Sequence, residues 1–473
     1  MRLRLFCMLP LLVLTGAPAL AELGLPQVRY ALFSDPRAPV EADLRRLAER
    51  GDRPSMHLLA NLIANDPRKT EEAIELYRRA FDEGRGEIRA LTSFARLLDR
   101  QPRLQSENRG LVAQALRHFP HDRDPQTLEA ALETFLIYPE LFGPDEIERL
   151  LELYQRSCLE FCGPELYRAA YAARIGDHEQ AVYWYERAAR LDPRAVNRYY
   201  DYLGEQRDPL FSDFASRLVP EREQLSPAIL HAIGTLLENI VISQHELEML
   251  PFQRIRTERY FTDEEAAQEQ ALRQRYQARR QEAQQWIQAA LAHDYPPAMV
   301  ARLNHILSWA EGYDETEALQ LVKRLTPHDP QRAKAALAQI HLVNTWKTLD
   351  PPKAHQLITE LIDEGYPDGE FLLATLYSRG SLDQPDQGRA LQILQRLAES
   401  GSLTAYYRMA LLYSEGHGLC RDNPRAYAYA SIANDGGDRR AATLLRRLDL
   451  VLSESERVQA KHLQQQLMAR AAP

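Results

Sequence analysis

Strict alternation of Val, Ile and Thr is nearly absent from these 473 residues, which leaves almost no room for β-sheet. An excess of basic charge is missing too. Lys and Arg number 58 against 67 Asp and Glu, and the net charge of -9 argues against a nucleic-acid binder, whose basic surface must displace phosphate counterions. There is no Gly-x-Ser-x-Gly elbow, no Gly-rich phosphate loop and no zinc-protease helix. The nearest approach, His245-Glu-Leu-Glu-Met249, lacks the second histidine. No catalytic residue, metal or cofactor is expected.

Cysteine is down to four residues. Cys158 and Cys162 could form a short-loop disulfide in an oxidising compartment, with metal binding as the rival reading, and Cys420 is left unpaired. A long hydrophobic run is also lacking. The only apolar stretch of note, Leu5 to Leu14, follows Arg2 and Arg4, precedes Ala19-Leu20-Ala21, and is too short to span a bilayer. It reads as a secretory signal peptide over residues 1–21, and predicts an exported mature chain. Leu14-Thr15-Gly16 resembles a lipoprotein box, but Ala17 stands where the lipid-bearing cysteine belongs, so no anchor is expected.

What the chain has in quantity is Ala, Leu, Glu and Arg, the profile of amphipathic helices. It also repeats. Phe371-Leu-Leu-Ala374-Thr-Leu-Tyr377-Ser-Arg-Gly380 aligns with Tyr407-Arg-Met-Ala410-Leu-Leu-Tyr413-Ser-Glu-Gly416. Ala318, Ala354, Ala390 and Ala426 follow at one fixed spacing, as do Gly365 and Gly401. A ladder of small residues at a period in the range of 20–50 predicts an array of two-helix units. Glycine closes the second helix at Gly401 or Gly436, where the chain must turn left-handed. Leu44 to Gly51 echoes Leu394 to Gly401, and Ala73 to Gly84 ends the same way. Residues 206–262 show no clear period. One charged helix is expected after Thr262-Asp263, and Ser453-Glu-Ser-Glu456 starts a polar closing helix.

Residues 366–437 resemble Sel1-like repeats, with Gly418 in the loop. Gly176-Asp177, Ala181, Tyr185, Ala188 and Pro193 resemble a tetratricopeptide (TPR) repeat. The resemblance implies an all-α, right-handed solenoid of helix-turn-helix repeats. Its expected parts are N-terminal repeats over 22–205, an irregular middle over 206–293, Sel1-like repeats over 294–437 and capping helices over 438–473. Leu411-Leu-Tyr-Ser-Glu-Gly-His-Gly-Leu419 and Pro424-Arg-Ala-Tyr-Ala-Tyr429, supported by Ile137 to Leu141, make the chain similar to the AlgK-like family of periplasmic scaffolds of alginate biosynthesis and export. That resemblance implies a non-catalytic protein linking an outer-membrane polysaccharide porin to periplasmic alginate-modifying proteins, with direct polysaccharide contact secondary. The family's lipid anchor is not implied, given Ala17. A Sel1-like interaction protein of another envelope complex, a polysaccharide-binding module and a Sel1-type hydrolase are the alternatives. The hydrolases carry a cysteine pair in every repeat, which this chain does not.

For partner contacts the sequence nominates Tyr406 and Tyr407, because adjacent tyrosines on a helix cannot both face one core. Tyr199-Tyr200 and the Tyr427, Tyr429 pair invite the same question, with packing between units as the other reading. Arg439, Arg440, Arg446 and Arg447 form a stripe that an acidic partner or a uronate polymer could use, or that is simply solvated.

Overall fold

The computed structural model describes residues 23–34, 38–81, 87–118, 125–157, 164–379, 386–416 and 420–470. Among them every regular element is helical, from Leu25–Ser34 to Glu454–Arg470. Each helix packs chiefly on its neighbours in sequence. The buried side chains accordingly fall into successive clusters, Val28 to Tyr167, Leu166 to Trp346, Ala338 to Leu376 and Ala374 to Leu452. This is the quasi-linear core of an all-α solenoid. No helix of the described residues is long and apolar enough to cross a membrane.

The period seen in the sequence has a physical origin at both ends of each helix. Asp314, Asp350, Asp386 and Asp422 each accept a hydrogen bond from a backbone N–H in the first turn that follows, those of Thr316, Lys353, Arg389 and Arg425, at 2.8 to 3.0 Å. Each such cap is worth roughly 1 kcal/mol. At the other end Gly365, Gly401 and Gly437 turn left-handed, with φ of 79°, 89° and 100°. The next residue's N–H returns to the last turn in each case: Tyr366 to Leu361, Ser402 to Leu397 and Asp438 to Ala433. Gly436, one of the two expected stops, keeps a right-handed φ of -77°. The helix ends there as expected, but the left-handed residue is Gly437, one position later.

Between these ends the helices approach on small side chains. Ala318, Ala354, Ala390 and Ala426 are all fully buried, as is Ala410, and Ala374 nearly so. Tyr377 and Tyr413 carry the next layer, each with an arginine guanidinium 5.5 Å above its ring, Arg389 and Arg425. Gly380, Gly418, Gly84, Cys158 and Cys162 lie outside the described residues. Cys420 is exposed and unpaired.

The N-terminal half uses the same devices. Gly51 and Gly176 are left-handed, Asp52 and Asp177 cap the helices that follow, Ala181 and Ala188 are buried, and Pro193 opens its helix behind the cap of Asp192. The middle departs from them. After the short helix Arg207–Leu218 and a 3-10 turn at Val219–Gln224, one helix runs from Pro227 to Glu258 through Pro251. It packs along Asp263–Leu291, which starts with a reciprocal capping box between Thr262 and Glu265. At the tail, Ser453 N–H donates to Glu456 Oε2 at 2.8 Å and Glu456 N–H to Ser453 Oγ at 3.4 Å, as the sequence predicts.

Candidate interaction surface

The C-terminal repeats return to the beginning of the chain. Gly401 sits against Asp66, just past the helix Arg53–Ile63. A Cβ on this glycine would fall 2.5 Å from Asp66 Cβ. Gly437, one repeat on, lies against the end of the helix Ile88–Arg100, where a Cβ would fall 2.9 Å from the carbonyl oxygen of Arg100. Two successive repeat turns thus meet the ends of two helices, Arg53–Ile63 and Ile88–Arg100, that are separated in sequence by the helix Thr70–Phe81.

Polar contacts fix this junction. Asp66 is buried and holds Arg68 through Nε and Nη2, both at 2.9 Å, which raises the Arg68 pKa above its ordinary value. The same guanidinium donates to the carbonyl of Glu399. Arg103 faces Asp435 at 4.0 Å. Between the two layers lies an open cleft of about 810 Å³, with Lys69 and Glu41 on one side and Ser402, Asp438 and Arg440 on the other.

The residues nominated for partner contacts are found in and beside this junction. Tyr406 is buried, 6.3 Å from the Tyr429 ring, and burial raises its phenol pKa although Arg68 opposes the shift. Tyr407 is half-buried under the Arg440 guanidinium, 4.7 Å above its ring, and burial again raises its pKa. Arg440 is held by Asp438 at 2.6 Å and by Thr404 Oγ1 at 3.0 Å. Arg447 turns toward Glu246 of the long helix at 3.7 Å and donates to Ser414 Oγ at 3.4 Å. Arg446 stays exposed, and the side chain of Arg439 lies outside what is described. The sequence therefore locates a cluster, but most of it is engaged within the chain. Tyr199 is buried, Tyr429 stacks on Tyr413 at 5.8 Å, and Tyr200 and Tyr427 are half-buried.

Sequence reasoning missed Asp66, Arg68 and Glu246, which no repeat pattern marks as meeting the last helices. It also missed the full aspartate ladder, although Asp314 and Asp350 stand at the same spacing as Asp386 and Asp422. Among the described residues no group of three or more His, Cys, Asp or Glu could hold a metal ion.

Two solved structures are similar over most of their length. One is c5321, a protective antigen of uropathogenic Escherichia coli displaying an SLR fold, at 16% identity, covering 91% of this chain and 87% of that one, with a TM-score of 0.29. The other is a Sel1 repeat protein from Oxalobacter formigenes, at 17% identity, covering 86% and 89%, with a TM-score of 0.27. At such scores the fold stands on the chain's own helices. No curated protein matches by sequence. The Sel1 repeat family model matches residues 54–84, 167–193, 367–402 and 403–438, which include Asp66, Gly401 and Gly437 of the junction. The chain is an all-α solenoid with segments similar to Sel1 repeats at these four places.

Proposed function

We propose that the protein is a non-catalytic scaffold of the bacterial periplasm that holds other proteins together. The observation that supports this reading is the stack of Sel1 repeats, units that generally mediate protein–protein interaction. Its last members are docked on its first, which gives partners a fixed platform instead of a flexible arc. Binding energy on such a surface comes from a few aromatic or arginine anchors. Arg446, exposed at the end of the stripe, is available to an acidic partner.

The finer reading is membership of an alginate-export complex, bridging an outer-membrane polysaccharide porin and periplasmic polymer-modifying proteins. It is supported by the likeness of Leu411 to Leu419 and Pro424 to Tyr429 to the AlgK-like scaffolds. The signal-like segment over residues 1–21 supports the compartment. The test is affinity purification from cross-linked envelopes through a tag after Pro473, with mass spectrometry of the captured proteins. The expected result is a polysaccharide porin together with uronate-modifying proteins. A different envelope machine would overturn the alginate reading and keep the scaffold, and recovery of no partner would overturn both.

A further inference from the structure

A second cleft, of about 1040 Å³, opens between the long helix Asp263–Leu291 and the helix Pro296–Ser308 with the turn that follows it. Its size is at the upper end of clefts that hold small-molecule ligands, about 300–1,000 Å³. In a chain of net charge -9, its described lining includes three arginines and two histidines but no Asp or Glu.

The floor is a finished polar network. Gln284 donates to Glu238 Oε2 at 2.9 Å and accepts from Arg302 at 2.9 Å, while Arg302 forks onto Glu317 at 2.7 and 2.9 Å. His305 bonds Glu238 on one side and Tyr313 at 2.8 Å on the other. Glu238, Gln284, Arg302 and His305 are all buried. These groups are committed to one another and hold the cleft open in one shape.

Arg280 is not part of that network. Its guanidinium lies 3.4 Å from the centre of the Trp309 ring, its Nε is buried without a hydrogen-bond partner, and it makes no ion pair among the described residues. Burial lowers its pKa, although the charge of Glu238 acts in the other direction. Arg273 and Arg302, the other two arginines, are neutralised by Glu269 and Glu317. A half-buried guanidinium stacked on an indole is a prepared half of a charge-assisted, bidentate pair, and a carboxylate completes it.

The surroundings narrow what carries that carboxylate. Gln277, Gln281 and Gln288 follow one another along the same helix face as Arg280. Each amide both donates and accepts, which is what vicinal hydroxyls require. Apolar lining is restricted to Leu307, Ala310 and the aromatic rings, so the cleft lacks the apolar pocket that a peptide anchor fills. We propose that this cleft binds a uronate residue of an acidic polysaccharide, its carboxylate on Arg280 and its hydroxyls on the glutamine amides. The inference goes beyond the scaffold reading, and does not depend on which envelope complex the chain serves.

The test uses the purified full chain and calorimetric titration with trigalacturonate, maltotriose and triglutamate. Saturable binding of trigalacturonate is expected, with maltotriose at least tenfold weaker. Arg280→Gln should weaken trigalacturonate at least tenfold. If that variant fails to fold, Gln277→Ala with Gln281→Ala, both on exposed side chains, should cost about threefold or more. No binding of trigalacturonate to the native chain, or unaltered affinity in the variants, would overturn the proposal. Triglutamate binding as tightly as the sugar would overturn it in favour of an acidic peptide.

Discussion

At Gly401 two demands meet that are usually separate. Its φ of 89° is left-handed, and its missing Cβ is the space into which Asp66 fits. Gly51 provides the comparison inside the same molecule, with φ of 88° and nothing within 4 Å of a would-be Cβ. Gly51→Ala should therefore cost only the left-handed penalty of an L-residue, about 1–2 kcal/mol. Gly401→Ala should cost that plus overpacking of roughly 1–3 kcal/mol. Urea denaturation of the two variants checks this, and equal losses would show that the Asp66 contact contributes nothing. The helix stop at Gly401 was legible in the sequence, because a fixed spacing of glycines reports local backbone geometry. Its partner was not, because Asp66 has no periodic relation to it.

Among the elements, the Asp-to-Gly units were the readable part. An aspartate that caps, an alanine that admits the neighbouring helix and a glycine that stops the chain each act within a few residues of themselves. The same spacing therefore appears in sequence and in space. The long pair Pro227–Glu258 and Asp263–Leu291 was only half readable. The second helix was expected after Thr262-Asp263, whereas residues 206–262 showed no clear period and the first helix, with Pro251 inside it, was not foreseen. The helix continues because its partner packs along it, and tertiary contact outweighs the local cost of proline. Pro251→Ala should then stabilise the protein, by about 1–3 kcal/mol, since alanine restores the missing N–H without strain. Thermal unfolding measures the effect, and an unchanged or lowered Tm would mean that the helix needs the proline's geometry.

For the whole molecule, the consequential feature is that the stack returns onto itself. Lys69 pairs with Glu41 at 3.1 Å and lines the same cleft as Asp438 of the last repeats. Zero-length carbodiimide coupling should therefore yield two cross-links from Lys69, a local one to Glu41 and a long-range one to Asp438. The local product is the internal control. Its appearance alone, in dilute monomeric protein, would mean that the solenoid is open in solution. About 1 M salt shortens electrostatic reach to roughly 3 Å and should weaken the long-range product if ion pairs such as Arg103 with Asp435 help hold the layers. Arg440 is held by Asp438 and Thr404 and Arg447 faces Glu246, so a stripe that looks free on a helical wheel is largely engaged within the chain.

By itself the sequence determined that the chain is helical, where most of the repeat helices begin and end, and which alanines are buried. These follow from caps, stops and spacing that act within one unit or between adjacent units. Only the tertiary structure decided that the last repeats rest on the first, that Arg447 reaches Glu246, and that Arg280 is left on Trp309 without an acid. Small rotations between units accumulate along the array, and where the accumulated path brings distant residues together is a property of the sum. No single repeat encodes it.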